Sequence, residues 1–88
     1  MSGPVVDVVV RPTMDADQFE RKTARIRRTL QRGGSVRLHV VLRGRERRRK
    51  ELAWATARTL VGEFSSWGEA SAWREGNDGV KVLISPRR

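Results

Sequence analysis

The stretch Ser35-Val36-Arg37-Leu38-His39-Val40-Val41-Leu42-Arg43-Gly44-Arg45-Glu46-Arg47-Arg48-Arg49-Lys50 holds the clearest periodicity and the densest charge in the chain. Val36, Leu38, Val40 and Leu42 alternate with Arg37, His39, Val41 and Arg43, the period of a strand with one buried face. A basic run follows at once and leads into a second helical pattern, in which Leu52, Ala53, Thr56, Ala57, Leu60 and Phe64 form a broad apolar face with Trp54 and Val61 at its edge. Cations at a helix start oppose its dipole, and such local conflicts are better tolerated at functional sites than at neutral ones.

Upstream, Val5–Arg11 is β-branched, is bounded by Pro4 and Pro12, and reads as a first strand. Asp15 or Asp17 can cap a helix whose Phe19, Thr23, Ile26 and Leu30 share a narrow sector at about 100° per residue, with Gly33-Gly34 ending it. On the opposite side lie Arg21, Arg25, Arg28 and Arg32, a ladder rising about 5.4 Å per turn that matches the spacing of phosphates along a nucleic-acid strand. Unrelieved like charges at i,i+4 cost a few tenths of a kcal/mol each, which favours a partner over a merely solvated face.

Downstream, Trp67–Arg74 and Val80–Ile84 read as two strands joined through Gly76-Asn77-Asp78-Gly79, the first of them weakly, because Ala70, Ser71 and Ala72 have little strand preference. That turn formally fits the GxxG of a KH domain, but such a loop joins helices and grips phosphates, whereas this one is acidic and lies in a hairpin. The order βαβαββ with right-handed crossovers predicts an α+β two-layer sandwich, a mixed four-stranded sheet with both helices on one face. The expected organisation is a loose lead-in over residues 1–4 and one domain over 5–88.

Thirteen of the 19 basic residues fall between Arg21 and Lys50, against a single acid, Glu46, so that segment carries +12 in a chain of net charge +9. Clustered positive charge on a small domain answers a polyanion, since phosphate contacts release condensed counterions. The bland alternative is a solvated surface in an Arg-favouring genome, suggested by 16 Arg to 3 Lys.

With no cysteine and one histidine, disulfides, thiolate nucleophiles and the usual zinc sets are excluded, and no metal or cofactor is expected. His39, without an accompanying Ser, Cys or Asp pattern, reads as a surface residue, and no Walker-type loop or carboxylate cluster points to an enzyme or a small-molecule substrate. Glu46 and Glu51 among arginines read as ion-pairing residues. The longest apolar run, Val8–Val10, is far short of the roughly 20 residues that span a bilayer, so no membrane association is expected and a cytoplasmic setting fits.

Taken together, Ile26-Arg27-Arg28, Leu30, Gly33, the strand Val36–Leu42, Arg43-Gly44-Arg45-Glu46 and the closing Val82-Leu83-Ile84-Ser85-Pro86 resemble the C-terminal domain of bacterial translation initiation factor 3. The match runs from about Val8 to Arg87 in the family's order, and Arg-Gly-Arg-Glu after an alternating strand is its most specific part. By this resemblance the partner is the small ribosomal subunit, bound through 16S RNA at the platform near the P site. The family's domain opposes joining of the large subunit, supports selection of initiator tRNA and start codon, and has no enzyme activity. Arg11, Lys22, Arg28, Arg43 and Arg45 sit where the family places basic residues, several of them RNA-contacting.

The chain departs from the family at Ala24, Val41, Thr59 and Asp78, where basic residues are expected, at Arg21 in place of a core aliphatic, and at Val80-Lys81-Val82 in place of a Met-rich strand. No counterpart of the family's N-terminal domain and Lys-rich linker is read in it. A stand-alone relative, a regulator of the same ribosomal site and an excised domain all fit.

The expected RNA-binding set is therefore Arg11, Lys22, Arg25, Arg28, Arg32, Arg43, Gly44, Arg45, Arg47, Arg48, Arg49 and Lys50, on a monomer. Phosphate contacts would supply affinity and folded-RNA shape selectivity. The alternative is a protein-interaction module, or a general polyanion binder, using the basic loop and the open sheet face, with Trp54, Trp67 and Trp73 as anchors if they are not core residues. Sequence-specific DNA binding is weaker, because strand-helix alternation does not suggest a helix-turn-helix.

Overall fold

A computed structural model describes residues 3–87. Met1 and Ser2, half of the expected lead-in, lie outside the described residues, whereas the Gly3 N–H donates to Gly33 O at 3.2 Å and Pro4 O accepts from Ser35 N–H at 2.9 Å. The elements run β1 (Val5–Val10), α1 (Ala16–Gln31), β2 (Ser35–Val41), a 3-10 helix (Gly44–Arg48), α2 (Lys50–Glu63), β3 (Gly68–Gly76) and β4 (Gly79–Pro86). The sheet order is β1-β2-β4-β3, with β1 and β2 parallel and the other pairs antiparallel. The predicted mixed four-stranded α+β sandwich is thus the observed one.

Alternation decides which face of the sheet is dry. Val8, Leu38 and Val82 form one cross-strand row, Val10, Val40 and Val80 the next, and Val36 pairs with Ile84. All of these are buried against Ile26 and Leu30 of α1 and Ala53, Ala57 and Leu60 of α2. Burying each of the larger side chains contributes about 1.5–3 kcal/mol relative to leaving it in water. The opposite face carries Val5, Asp7 and Val9 on β1, Arg37, His39 and Val41 on β2, and Lys81 and Leu83 on β4, and no helix covers it.

Local chemistry sets the limits of α1. Asp15 Oδ1 accepts from the Gln18 N–H at 2.9 Å, satisfying one of the helix's orphan donors. At the other end the Gly33 N–H donates to Leu30 O and the Gly34 N–H to Thr29 O, with Gly33 at φ 81, the Schellman arrangement that glycine permits. Thr23, Ile26 and Leu30 are buried as predicted, and the half-buried Phe19 packs on the core's margin.

The strands β1, β2 and β4 differ from the sequence reading by a residue or two at their ends, and two differences are larger. β3 runs on to Gly76 and is broken by a bulge between Ser71 and Arg74, where Ala72 adopts φ 55. The weak strand preference of Ala70-Ser71-Ala72 is therefore accommodated by local distortion. The basic run does not open α2 directly: Gly44–Arg48 winds its own 3-10 turn, and α2 begins at Lys50 with Glu51 in its first turn. Most of the cations are thereby removed from the α2 dipole, which relieves the conflict expected from the sequence.

Candidate nucleic-acid interface

The turn that displays the arginines is built by residues whose own charges are spent. Leu42 is buried and its N–H donates to Asp78 O at 2.6 Å, which anchors the start of the loop. Glu46, the only acid of the run, accepts from the Arg43 N–H at 3.2 Å and lies 3.9 Å from Arg11 Nη2, while its carbonyl accepts from the Arg49 N–H at 2.8 Å. Arg49 Nε meets Glu51 Oε1 at 3.2 Å. The Glu51 carboxyl is held below the usual carboxylate range, first by its own backbone N–H and then by the Arg49 side chain.

Lys50 is consumed in the same way, its half-buried side chain donating from Nζ to Arg47 O at 2.9 Å and to Asn77 O. What remains is Arg43, Arg45, Arg47 and Arg48, all four exposed and without an ion pair among the described residues. Gly44, Arg45 and Arg48 line one open concavity. An arginine fork with no internal partner suits phosphate oxygens.

The second group of predicted residues lies on α1. Arg21, Arg25, Arg28 and Arg32 follow its outer side, and Lys22 is half-buried at their flank. Arg25, Arg28 and Arg32, together with Thr29, Pro4 and Val6, line a groove of about 270 Å³ between α1 and β1. Because β1 and β2 are parallel, their C-terminal ends, Arg11 and Arg43, share one end of the sheet with the start of α1. The ladder therefore runs away from the basic loop toward the opposite end, about 16 Å from Arg21 to Arg32 at 1.5 Å per residue.

The fold thus sorts the predicted set into two. Arg11, Arg43, Gly44, Arg45, Arg47, Arg48 and Arg49 gather at one end of the sheet. Lys22, Arg25, Arg28 and Arg32 follow the outer helix. Lys50 is at the first end but turned to structural use.

Some cations escaped the sequence reading. Arg37 and Lys81 rise from the open sheet face and, with Arg74 and Leu83, line a pocket of about 370 Å³. Their signal is the solvent-side phase of the strand alternation in β2 and β4. Asp7 lies 3.3 Å from Arg37 and Asp78 lies 3.5 Å from His39, so this face is charge-balanced, unlike the loop and the helix.

The tryptophans are mainly structural. Trp54 and Trp67 pack on the margin of the core, with the Arg58 guanidinium 5.4 Å above the Trp54 ring and that of Arg27 5.8 Å from Trp67. Trp73, beside the β3 bulge, stacks on Trp54 at 5.4 Å and 18°, and remains 37% exposed.

A four-stranded mixed sheet backed by two helices, with uncompensated arginines at one end and along the outer helix, defines a small α+β domain with a localised cationic surface. No protein-family model matches the chain. Over 81 residues, 90% of its length, it is 32% identical to translation initiation factor IF-3 of Mycobacterium leprae and to that of Mycobacterium tuberculosis, covering 40% of each. The Corynebacterium efficiens factor of the same name is 30% identical over the same length, with 39% of it covered. The resemblance read from the sequence is thus borne out: the chain is similar to translation initiation factor IF-3. It spans about two fifths of the length of the curated relatives that it matches.

Proposed function

We propose that residues 5–88 form a non-catalytic RNA-binding module that acts on the small ribosomal subunit as a cytoplasmic monomer. It binds 16S RNA and opposes subunit joining or modulates initiation. One observation carries this reading: among the described residues Arg43, Arg45, Arg47 and Arg48 have no ion-pair partner and stand at the surface on a turn whose Glu46 and Lys50 are committed to holding it. Side chains presented in this way break no internal ion pair on binding phosphate, and counterion release supplies affinity. The similarity to translation initiation factor IF-3 supports the ribosome as the source of that phosphate.

The test is binding of labelled protein to purified small subunits across a salt series, with large subunits and an unrelated structured RNA as competitors. Arg28→Ala with Arg45→Ala weakens binding at least tenfold, leaves the melting temperature unchanged, and lowers the salt slope by about 2, one for each phosphate no longer neutralised. Equal affinity for the double variant would sink the assignment of these residues. Full displacement by any structured RNA would reduce the function to general polyanion binding.

A further inference from the structure

The two edges of the sheet differ in kind. At β3 the edge is guarded by the bulge, by Ala72 at φ 55 and by the charges of Glu69, Arg74 and Glu75. At β1 it is Val5-Val6-Asp7-Val8-Val9-Val10, with no bulge in its register to β2, and Val5 and Val9 are 53% and 44% exposed. Among the described residues, no strand pairs with the outer side of β1 and no backbone hydrogen bond from elsewhere reaches it. A regular, unpaired edge that is apolar at every position but Asp7 is a template for another strand, and folds ordinarily blunt it more heavily.

The surroundings select what can pair there. On the helix side the edge opens into the groove of Arg25, Arg28 and Arg32; on the open-sheet side it presents Val5 and Val9, with Asp7 between them held by Arg37 at 3.3 Å. A second copy of the chain is disfavoured, because β1-to-β1 pairing would bring together two arginine rows on molecules of net charge +9. Side chains of an added strand alternate between faces, so the matching occupant is acidic at every second residue and apolar between.

We infer that the β1 edge is a docking site for an extended acidic segment of a protein partner, added as a fifth strand with carboxylates in the α1 groove and apolar side chains on Val5 and Val9. The inference does not depend on the RNA-binding reading, although the shared arginines make the two ligands compete. Occupancy of the edge would then withdraw the α1 ladder from RNA.

The experiment uses the full chain and two fluorescent eight-residue peptides of one composition, Glu and Val strictly alternating or in two blocks of four. Amide hydrogen exchange of Val5–Val10 is followed in parallel, with a short single-stranded RNA as a third ligand. The expected result is at least tenfold tighter binding of the alternating peptide, slowed exchange along β1 with that peptide alone, and at least tenfold loss of its binding in Arg28→Glu with Arg32→Glu. Equal binding of both peptides, unchanged β1 exchange, or slowing by the RNA to the same extent overturns the proposal. So does self-association of the free protein through β1.

Discussion

Lys50 Nζ donates to the carbonyl oxygen of Asn77, 27 residues away in sequence, and ties the basic 3-10 turn to the β3–β4 hairpin. Since the same ammonium also holds Arg47 O at 2.9 Å, one cation spans two loops. Its role is to position the arginines that contact the ligand. Lys50→Met should lower unfolding stability by about 1.5–3 kcal/mol, the range for hydrogen bonds to a charged group. It should also speed amide exchange across Gly44–Arg49. RNA affinity falls less than in the Arg28→Ala, Arg45→Ala double variant; an equal or larger loss would place Lys50 among the ligand contacts.

The Trp54–Trp73 stack links α2 to the bulged edge strand, and the Trp54 Nε1–H donates to Glu75 Oε1 at 2.6 Å. The Arg58 guanidinium lies over the same ring, 5.4 Å from its centroid. A double-mutant cycle of Trp54→Ala and Trp73→Ala should give a coupling of about 0.5–1.5 kcal/mol, as for offset aromatic pairs. Trp73 is then an internal prop for a weak strand. A coupling near zero, together with weakened partner binding, would instead make Trp73 an interface anchor.

Asp78 turns the hairpin into a pH-dependent contact. Desolvation alone would raise its carboxyl, but His39, whose Nε2 lies 3.5 Å away, its own backbone and Lys81 together hold it below the ordinary carboxylate range. Since the folded-state value is the lower one, ionised Asp78 stabilises the fold above its unfolded value, near pH 4. That contribution disappears as the pH falls through the folded value. Chemical denaturation from pH 6 down to pH 2 should show a steeper acid loss for the native chain than for Asp78→Asn. Parallel curves would show that the carboxylate contributes nothing.

Features set by local rules were legible in the sequence. The period-2 pattern of Val36 to Leu42, an aspartate cap at Asp15 or Asp17 and the Gly33-Gly34 stop each act within a few residues of themselves, and the structure has each in place, with Asp15 as the cap. Features set by distant partners were not. The 3-10 turn at Gly44–Arg48 depends on Glu46 facing both Arg43 and Arg11, and the structural use of Lys50 depends on Asn77. Composition therefore located the cationic segment, but tertiary contacts alone separate the arginines left for a ligand from those consumed by the fold. The bulge at Ala72 was hidden for a related reason: its strand is held by pairing with β4, whatever its own preference.

Two glycines separate steric necessity from mere tolerance. Gly79 opens β4 at φ +148, and a Cβ there would drive into the Val40 carbonyl, which the fold cannot move because Val40 is buried and paired on both sides in the sheet. Gly62 lies exposed in the last turn of α2 with nothing within 4 Å of the position a Cβ would take. The same substitution should therefore have opposite signs. Gly79→Ala costs at least about 2 kcal/mol through clash and backbone strain, whereas Gly62→Ala stabilises by about 0.5–1 kcal/mol by removing freedom from the unfolded chain. Thermal and urea unfolding of the two variants measure this directly. If Gly79→Ala were neutral, β4 would have to enter the sheet by a different path from the turn, and with it the Asp78 contacts that hold Leu42 and His39 would have to shift.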